Sequence, residues 1–172
     1  MSLTEKYKGK KVLIVGLGKT GFALIHFFNN LGCEIKVTDI KPIFDLNKQV
    51  KRLKKIQPNP AMTLGEHRDD DFIQSDLIIY SSSVDPNLPQ IQLARQHGKE
   101  VFSEFAFAYK NCTKPVIAIC GSMGRTTIAH MIGYTLKVDK KNIFIGGTSD
   151  EPFINFLALP NKDEIDYVVV EV

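Results

Sequence analysis

"KVLIVGLGKTG", residues 11–21, is the stretch that decides the fold. A short apolar run enters a glycine loop, and a helical pattern follows at once. Apolar residues at consecutive rather than alternating positions mark a strand covered on both faces, as in parallel sheets. Gly16, Gly18 and Gly21 stand in the G-x-G-x-x-G spacing, directly after that strand and opening the helix. Gly16 permits the tight turn, Gly18 lets the backbone approach a diphosphate, and Gly21 lets helix and strand pack closely. The helix N-terminus offers free amides and the positive end of its dipole to an anion. Asp39 ends the second strand, where a carboxylate can accept hydrogen bonds from a ribose or a base. The pattern reads as a nucleotide seat. It does not choose between NAD and a uridine diphosphate sugar, which make similar demands on such a loop.

Working outward, strand-like runs cover Lys11–Val15, Glu34–Asp39, Asp76–Ser81, Pro115–Cys120, Asn142–Gly146 and Asp166–Val172. Helical patterns lie between them near 19–31, 43–56, 88–97, 125–137 and 152–158. Strands alternating with helices predict right-handed crossovers and an α/β fold. VLIVG, VIAIC and YVVVEV are each expected to be covered on both faces. The polar, proline-containing link KNCTKPV, 110–116, predicts a boundary. Residues 1–112 then form a Rossmann-like parallel-sheet domain, and 113–172 form the first part of a P-loop-type α/β domain. Sixty residues ending on a bare strand bury too little surface to be robust alone, so the second domain is expected to be incomplete.

Composition narrows the function classes. A net charge of +3 is too small to argue for nucleic acid. Lys48, Lys51, Arg52, Lys54 and Lys55 cluster around Leu46, Val50 and Leu53 at helical spacing, which reads as the wet face of an amphipathic helix or as a surface for an anionic partner. No run approaches membrane-spanning length, and the start has no apolar core of signal-peptide type. Cys33, Cys112 and Cys120 are odd in number and lack CxxC pairing. Reduced thiols in a cytoplasm fit that pattern better than a disulfide frame. Oligomeric state leaves no mark in the sequence.

A second loop, Gly121-Ser122-Met123-Gly124-Arg125-Thr126-Thr127, sits between the strand PVIAIC and the helical pattern TTIAHMIGYTL. In a phosphate loop, backbone amides wrap the phosphates, a lysine reaches the outer ones, and the next hydroxyl binds magnesium. Thr126 has the hydroxyl position and Arg125 the cationic one. Guanidinium is a broad planar fork where lysine is a point charge, so the exchange is not neutral. On chemistry alone this is either a nucleotide loop or a plain strand–helix turn.

The ordered series GLGKTG, VTD, SSSVDP, EVFSEFAFAY, VIAICGSMGRTT, NIFIGGTSDEP and YVVVEV resembles the Mur ligases, and among them the MurD-like members. The resemblance runs from Lys11 to Val172. It implies a UDP-binding domain followed by the start of an ATPase domain, in a family of ATP-dependent amide ligases of peptidoglycan synthesis that add D-glutamate to UDP-MurNAc-L-alanine. By position it implies that Gly16, Gly18, Lys19, Thr20 and Gly21 meet a UDP diphosphate, while Asp39, Ile40 and Lys41 line the uridine. Ser83 and Thr148 fall at further substrate-binding positions. Gly121, Ser122, Gly124, Arg125, Thr126 and Thr127 would hold ATP, Thr126 and Glu171 would be magnesium ligands, and Arg125 and Glu171 are the candidate catalytic residues. The expected partner is a UDP-sugar-type small molecule, with ATP and magnesium as cofactors and neither nucleic acid nor membrane involved. Three motifs depart from the family pattern: Ser81-Ser82-Ser83 replaces SPG, GSMGRTT replaces GTNGKTT, and Gly146-Gly147-Thr148-Ser149-Asp150 replaces GGNIG. An N-terminal fragment or divergent relative that does not catalyse alone is the expectation, with a non-catalytic UDP-sugar or NAD module as the alternative.

The remaining polar residues read as structural. His26 and His130 lie within helical patterns, and His97 stands at a helix end where it can face the negative dipole. His67 is next to Asp69, Asp70 and Asp71, which read as a solvated helix start. Phe102, Phe105, Phe107 and Tyr109 read as packing at the domain junction.

Overall fold

Strand β1 (Lys11–Val15) has four consecutive buried apolar residues, so it must lie at the centre of a sheet with cover on both faces. The computed structural model, which describes residues 2–172, places it there. Strands β2 (Glu34–Asp39), β3 (Ala61–Leu64), β4 (Leu77–Tyr80) and β5 (Glu100–Ser103) join it in the order β3-β2-β1-β4-β5, every neighbouring pair parallel. The chain leaves β1 toward β2 and β3, then returns to lay β4 on its other side. That reversal opens a crevice beyond the carboxyl ends of β1 and β4, where ligands of such sheets bind.

Helix α1 (Leu3–Tyr7) is capped by Ser2, whose hydroxyl accepts from the Glu5 amide while the Glu5 carboxylate accepts from the Ser2 amide. Helix α2 (Lys19–Asn30) packs on β1 and β2, and its Phe28 meets Tyr7 edge to face at 6.2 Å between ring centroids. Helix α3 (Asn47–Leu53) buries Val50 and Leu53 and leaves Lys48, Lys51 and Arg52 in water. The basic cluster is thus a solvated helix face, with the Arg52 guanidinium 4.3 Å above the Phe22 ring. Helices α4 (Asp69–Ile73) and α5 (Pro89–Gln96) cover the other side of the sheet, where Phe72, Ile91 and Ala94 close over Leu13, Val15 and Ile78.

The acidic run departs from expectation at one residue. Asp71 is buried, held by the Lys36 ammonium at 2.5 Å and the Thr63 hydroxyl at 2.7 Å. Helical spacing turns it toward the sheet while Asp69 and Asp70 stay wet. The predicted elements fall within a few residues of those observed, and the helix start read at 69–71 opens α4, but α1, β3, β5 and helix α6 (Glu104–Asn111) are not among the predicted elements.

The chain divides into two compact units, one ending at Glu104 and the other spanning Phe105–Val172. The sequence places the boundary at 112. In the structure α6 goes with the second unit, because the Phe105 ring packs 5.4 Å from that of Phe153. This unit holds strands β6 (Val116–Ile119), β7 (Ile143–Gly146) and β8 (Tyr167–Glu171), parallel and ordered β6-β8-β7. Helix α7 (Arg125–Val138) packs closely on β7: a side chain at Gly133 would lie 2.6 Å from Ile145 Cδ1. Helix α8 (Ile154–Ala158) carries Phe156 into a cluster with Phe144 and Phe153. Strand β6 was expected to be covered on both faces, yet Ala118 is exposed and Val116 and Ile117 only half-buried. It is an edge strand of a three-stranded sheet, and α7 covers part of one face.

Phe72 tests the packing of the first sheet. Phe72→Ala should cost about 3–5 kcal/mol in urea unfolding, seen as a lower midpoint at unchanged slope. Phe44→Ala, at a 68% exposed position, should stay within about 0.5 kcal/mol of the parent.

Candidate functional site

The β1–α2 turn is built around atoms that leave no room for side chains. A Cβ at residue 21 would lie 2.1 Å from the Gly16 carbonyl oxygen, and one at residue 16 would lie 2.5 Å from Ser81 Oγ. Gly16 also has φ +99°, where L side chains are strained. Gly18, at the helix N-cap, differs: a Cβ there would meet nothing within 4 Å. The first and third glycines therefore hold the turn, and the second faces open space at the helix end.

Asp39 locks the turn to the neighbouring strand. Its Oδ2 accepts from the Leu17 amide at 2.7 Å and its Oδ1 from the Lys41 amide at 2.9 Å. The Gly16 amide donates to the Thr38 carbonyl at 2.8 Å. Among the described residues nothing lies within 4 Å of where a Cβ at residue 18 would stand. A cavity of about 330 Å³ opens beside the turn, lined by Gly16, Gly18, Asp39, Ile40, Lys41 and Ser83 among others. Ser83 is tied to Ser81 by a 3.1 Å hydroxyl pair.

The remaining predicted residues of the first loop lie just behind. Lys19 opens α2, Thr20 is buried, and Gly21 faces the Gly16 carbonyl. His67, Leu46 and Gln49 line the same cavity but had not been singled out for it. The signal for His67 was its place just after β3: parallel strands deliver the segments after them to one side of the sheet. Its Nδ1 lies 2.8 Å from Thr38 Oγ1. Burial holds its pKa below the ordinary imidazole value, against the raising effect of Asp39.

In the second unit the glycine loop turns into α7 through Gly124, at φ +77°. Thr126 Oγ1 donates to Glu171 Oε2 at 3.1 Å, and Arg125 Nη1 donates to the Val172 carbonyl at 2.8 Å. Glu171 is buried at the carboxyl end of β8. A Cβ at Gly147 would lie 2.3 Å from the Glu171 carbonyl oxygen, so this glycine lets the β7 loop cross the strand end. Thr148 follows it, its Oγ1 accepting from the Glu151 amide at 3.0 Å. Thr148 thus lies in the second unit with Glu171. Gly121, Ser122, Gly124 and Thr127 are exposed around this loop. Thr126 and Glu171 bring two hard oxygens together, a donor set that suits magnesium completed by phosphate and water. Among the described residues no group of three or more His, Cys, Asp or Glu side chains could hold a metal.

His97 Nδ1 lies 2.9 Å from the Leu93 carbonyl in the last turn of α5, and His26 and His130 are exposed. The three cysteines are free, and burial pushes the Cys33 thiol up to about 11. Among the described residues no helix is long and apolar enough to cross a membrane.

Comparison with known proteins identifies the family. Residues 10–103 match the family described as Mur ligase MurD-like, N-terminal domain. A UDP-N-acetylmuramoylalanine–D-glutamate ligase of Bdellovibrio bacteriovorus is 34% identical over 165 residues, which is 96% of this chain and 35% of the relative. The ligase of that name from Koribacter versatilis is 35% identical over 156 residues, 91% of this chain and 34% of its own. The chain thus spans about a third of the length of the curated relatives it matches. Among solved structures, the UDP-N-acetylmuramate:L-alanyl-gamma-D-glutamyl-meso-diaminopimelate ligase of Neisseria meningitides superposes with a TM-score of 0.53 at 17% identity, over 95% of this chain and 52% of that one. The UDP-N-acetylmuramate-alanine ligase of Thermotoga maritima gives 0.50 at 24% identity, over 94% and 36%. At those identities the likeness is one of fold.

The two kinds of glycine separate in stability. Gly21→Ala should unfold the protein or lower its stability by more than about 3 kcal/mol, because the obstacle is backbone that cannot swing away. Gly18→Ala should remain within about 0.5 kcal/mol in the same urea titration.

Proposed function

The chain belongs to the MurD-like Mur ligases, and from that premise we propose that its first unit binds the uridine diphosphate end of a UDP-sugar. The observation that carries the reading is the open cavity at the β1–α2 turn, with the Asp39 carboxylate locked beside it by two backbone amides. The diphosphate lies against Gly16, Gly18 and Lys19 at the N-terminus of α2, where amides and dipole favour an anion. The uridine extends past Asp39, Ile40 and Lys41, and Ser83 borders it from the β4 side. Thr20 and Gly21 support the turn from behind. In proteins of the relatives' length, the sugar so held would be UDP-N-acetylmuramoylalanine and the reaction its ligation to D-glutamate in peptidoglycan synthesis, in the cytoplasm.

The second loop supports a subsidiary nucleotide site. The donor set fits magnesium–ATP: the loop from Gly121 to Thr127 would hold the phosphates at the N-terminus of α7, and Thr126 and Glu171, 3.1 Å apart, would hold the metal. Bound ATP would supply the activation of a carboxylate, and the loop's part is to hold charge in place. Arg125 supplies the positive charge, but its Nη1 contact with the Val172 carbonyl draws the guanidinium to the end of β8. The arginine at the lysine position of the loop favours a second reading, in which the chain binds nucleotide without completing ligation by itself.

Thermal unfolding with UDP-N-acetylglucosamine, NAD and magnesium–ATP tests these readings. At a hundredfold excess over its dissociation constant the UDP-sugar should stabilise the protein by about 2.7 kcal/mol. Gly18→Ala, with its methyl group in the path of the diphosphate, should lose most of that gain. Stabilisation by NAD with none from the UDP-sugar would overturn the proposal. Phosphate release on adding UDP-MurNAc-L-alanine, D-glutamate and ATP would refute the non-ligating reading.

A further inference from the structure

His67 is not among the residues that the glycine fingerprint selects, yet it lines the same cavity as Gly18 and Asp39. The Thr38 hydroxyl carries one proton, and it donates to the Glu66 carbonyl at 3.2 Å. The closer contact, 2.8 Å to His67 Nδ1, then takes its proton from the imidazole. With Nδ1 protonated, Nε2 of the neutral ring carries a lone pair. Among the described residues Nε2 has no hydrogen-bond partner, while Phe72 meets the ring edge to face and limits its rotation. Thr38 is itself fully buried, and its carbonyl receives the Gly16 amide at 2.8 Å. The hydroxyl that orients the imidazole is thereby on the residue that anchors the glycine turn.

We propose that His67 is a nucleoside-recognition residue of this cavity, its Nε2 accepting a hydrogen bond from an N–H or O–H donor of the uridine. The inference rests on the UDP-sugar reading of the same site. The rest of the uridine wall offers what the nucleoside needs in other places: Lys41 is a cation, and both Asp39 oxygens already accept from backbone amides. A neutral acceptor is what His67 adds. Protonation removes it, because imidazolium is a donor at both nitrogens. The charged groups around the ring are Asp39 and Lys41 from the β2 end, Glu66 and Arg68 beside it, and Asp69, Asp70 and Asp71 at the start of α4. Glu66 and Arg68 pair with each other at 2.6 Å and Asp71 with Lys36, so within this group Asp39 is the main opponent of the neutral form. Burial outweighs it, and the ring is neutral at pH 7.

A ligand that needs the neutral ring binds fully above the histidine's folded pKa and loses affinity in acid, approaching tenfold per pH unit below it. UDP-N-acetylglucosamine is the probe, since neither of its phosphates titrates between about pH 5 and pH 8, the window in which His does. Calorimetric titration of the full chain across that window should give a plateau near neutrality and a fall below it. His67→Gln puts an amide oxygen where Nε2 stood; it should bind as the parent does at pH 8 and lose the acid dependence. His67→Asn keeps only the contact to Thr38; it should bind roughly tenfold more weakly at pH 8, with its ligand-free melting temperature measured as a control on folding. The 2′-deoxyuridine counterpart identifies the donor: acid sensitivity that disappears with it belongs to the ribose hydroxyl, and sensitivity that persists belongs elsewhere on the nucleoside. Parent affinity that stays flat into acid, or a folded His67→Asn protein that binds as tightly as the parent, overturns the role of His67 while leaving the UDP-sugar reading intact. No binding of the probe at any pH by the folded parent overturns both.

Discussion

The Gly16 carbonyl oxygen occupies the space that any side chain at residue 21 would need. That one close approach draws α2 down on the end of β1 and points its N-terminus at the crevice. Everything proposed for the first unit depends on it. A helix displaced by even one side chain would carry its free amides away from Asp39, and the cavity beside Gly18 would lose one wall. The constraint is steric rather than energetic in the usual sense. No hydrogen bond could substitute for it, because the interfering atoms are all backbone.

Asp39 acts on that scaffold as a clasp. Its two oxygens join the β1 turn, through the Leu17 amide, to the start of the segment after β2, through the Lys41 amide. A carboxylate satisfied on both sides by backbone is an architectural element as well as a wall of the cavity. This differs from the simplest expectation, in which the acid waits unoccupied for a ribose. Each of its oxygens keeps a further lone pair, since a carboxylate oxygen accepts more than one hydrogen bond. The second unit repeats the logic with altered parts: Thr126 and Glu171 converge, Gly147 lets a loop cross the strand end, and an arginine stands where related loops have lysine. The length and fork of that arginine let it reach the carbonyl of Val172, which gives it a structural partner at the strand end.

Legibility varied with how local the cause was. The turn glycines and strand β1 were readable because their signals lie within about a dozen residues. Strands β3 and β5 were not. AMTL and EVFS are four residues long and none of them alternates cleanly: β3 buries only Thr63, and β5 is half-buried throughout. They are strands because β2 and β4 present unpaired ladders to them, with Lys36 opposite Ala61 and Leu77 opposite Glu100. The two misjudged acidic and basic neighbours, Asp71 and His67, failed for the same reason. Their partners are Lys36, Thr63 and Thr38, on strands whose pairing had first to be known.

The amino-acid sequence by itself determined the alternation of strands and helices, the parallel sheet around VLIV, the positions of both glycine loops and the family to which the chain belongs. Those are consequences of residue type and spacing along one short segment at a time. Only the tertiary structure decided which polar groups meet: that Asp39 clasps two amides, that His67 joins the cavity, that Asp71 is buried, and that α6 goes with the second unit. Hydrogen bonds and ion pairs depend on distances of a few tenths of an ångström between residues tens of positions apart, and such distances exist only once the sheet has set its register.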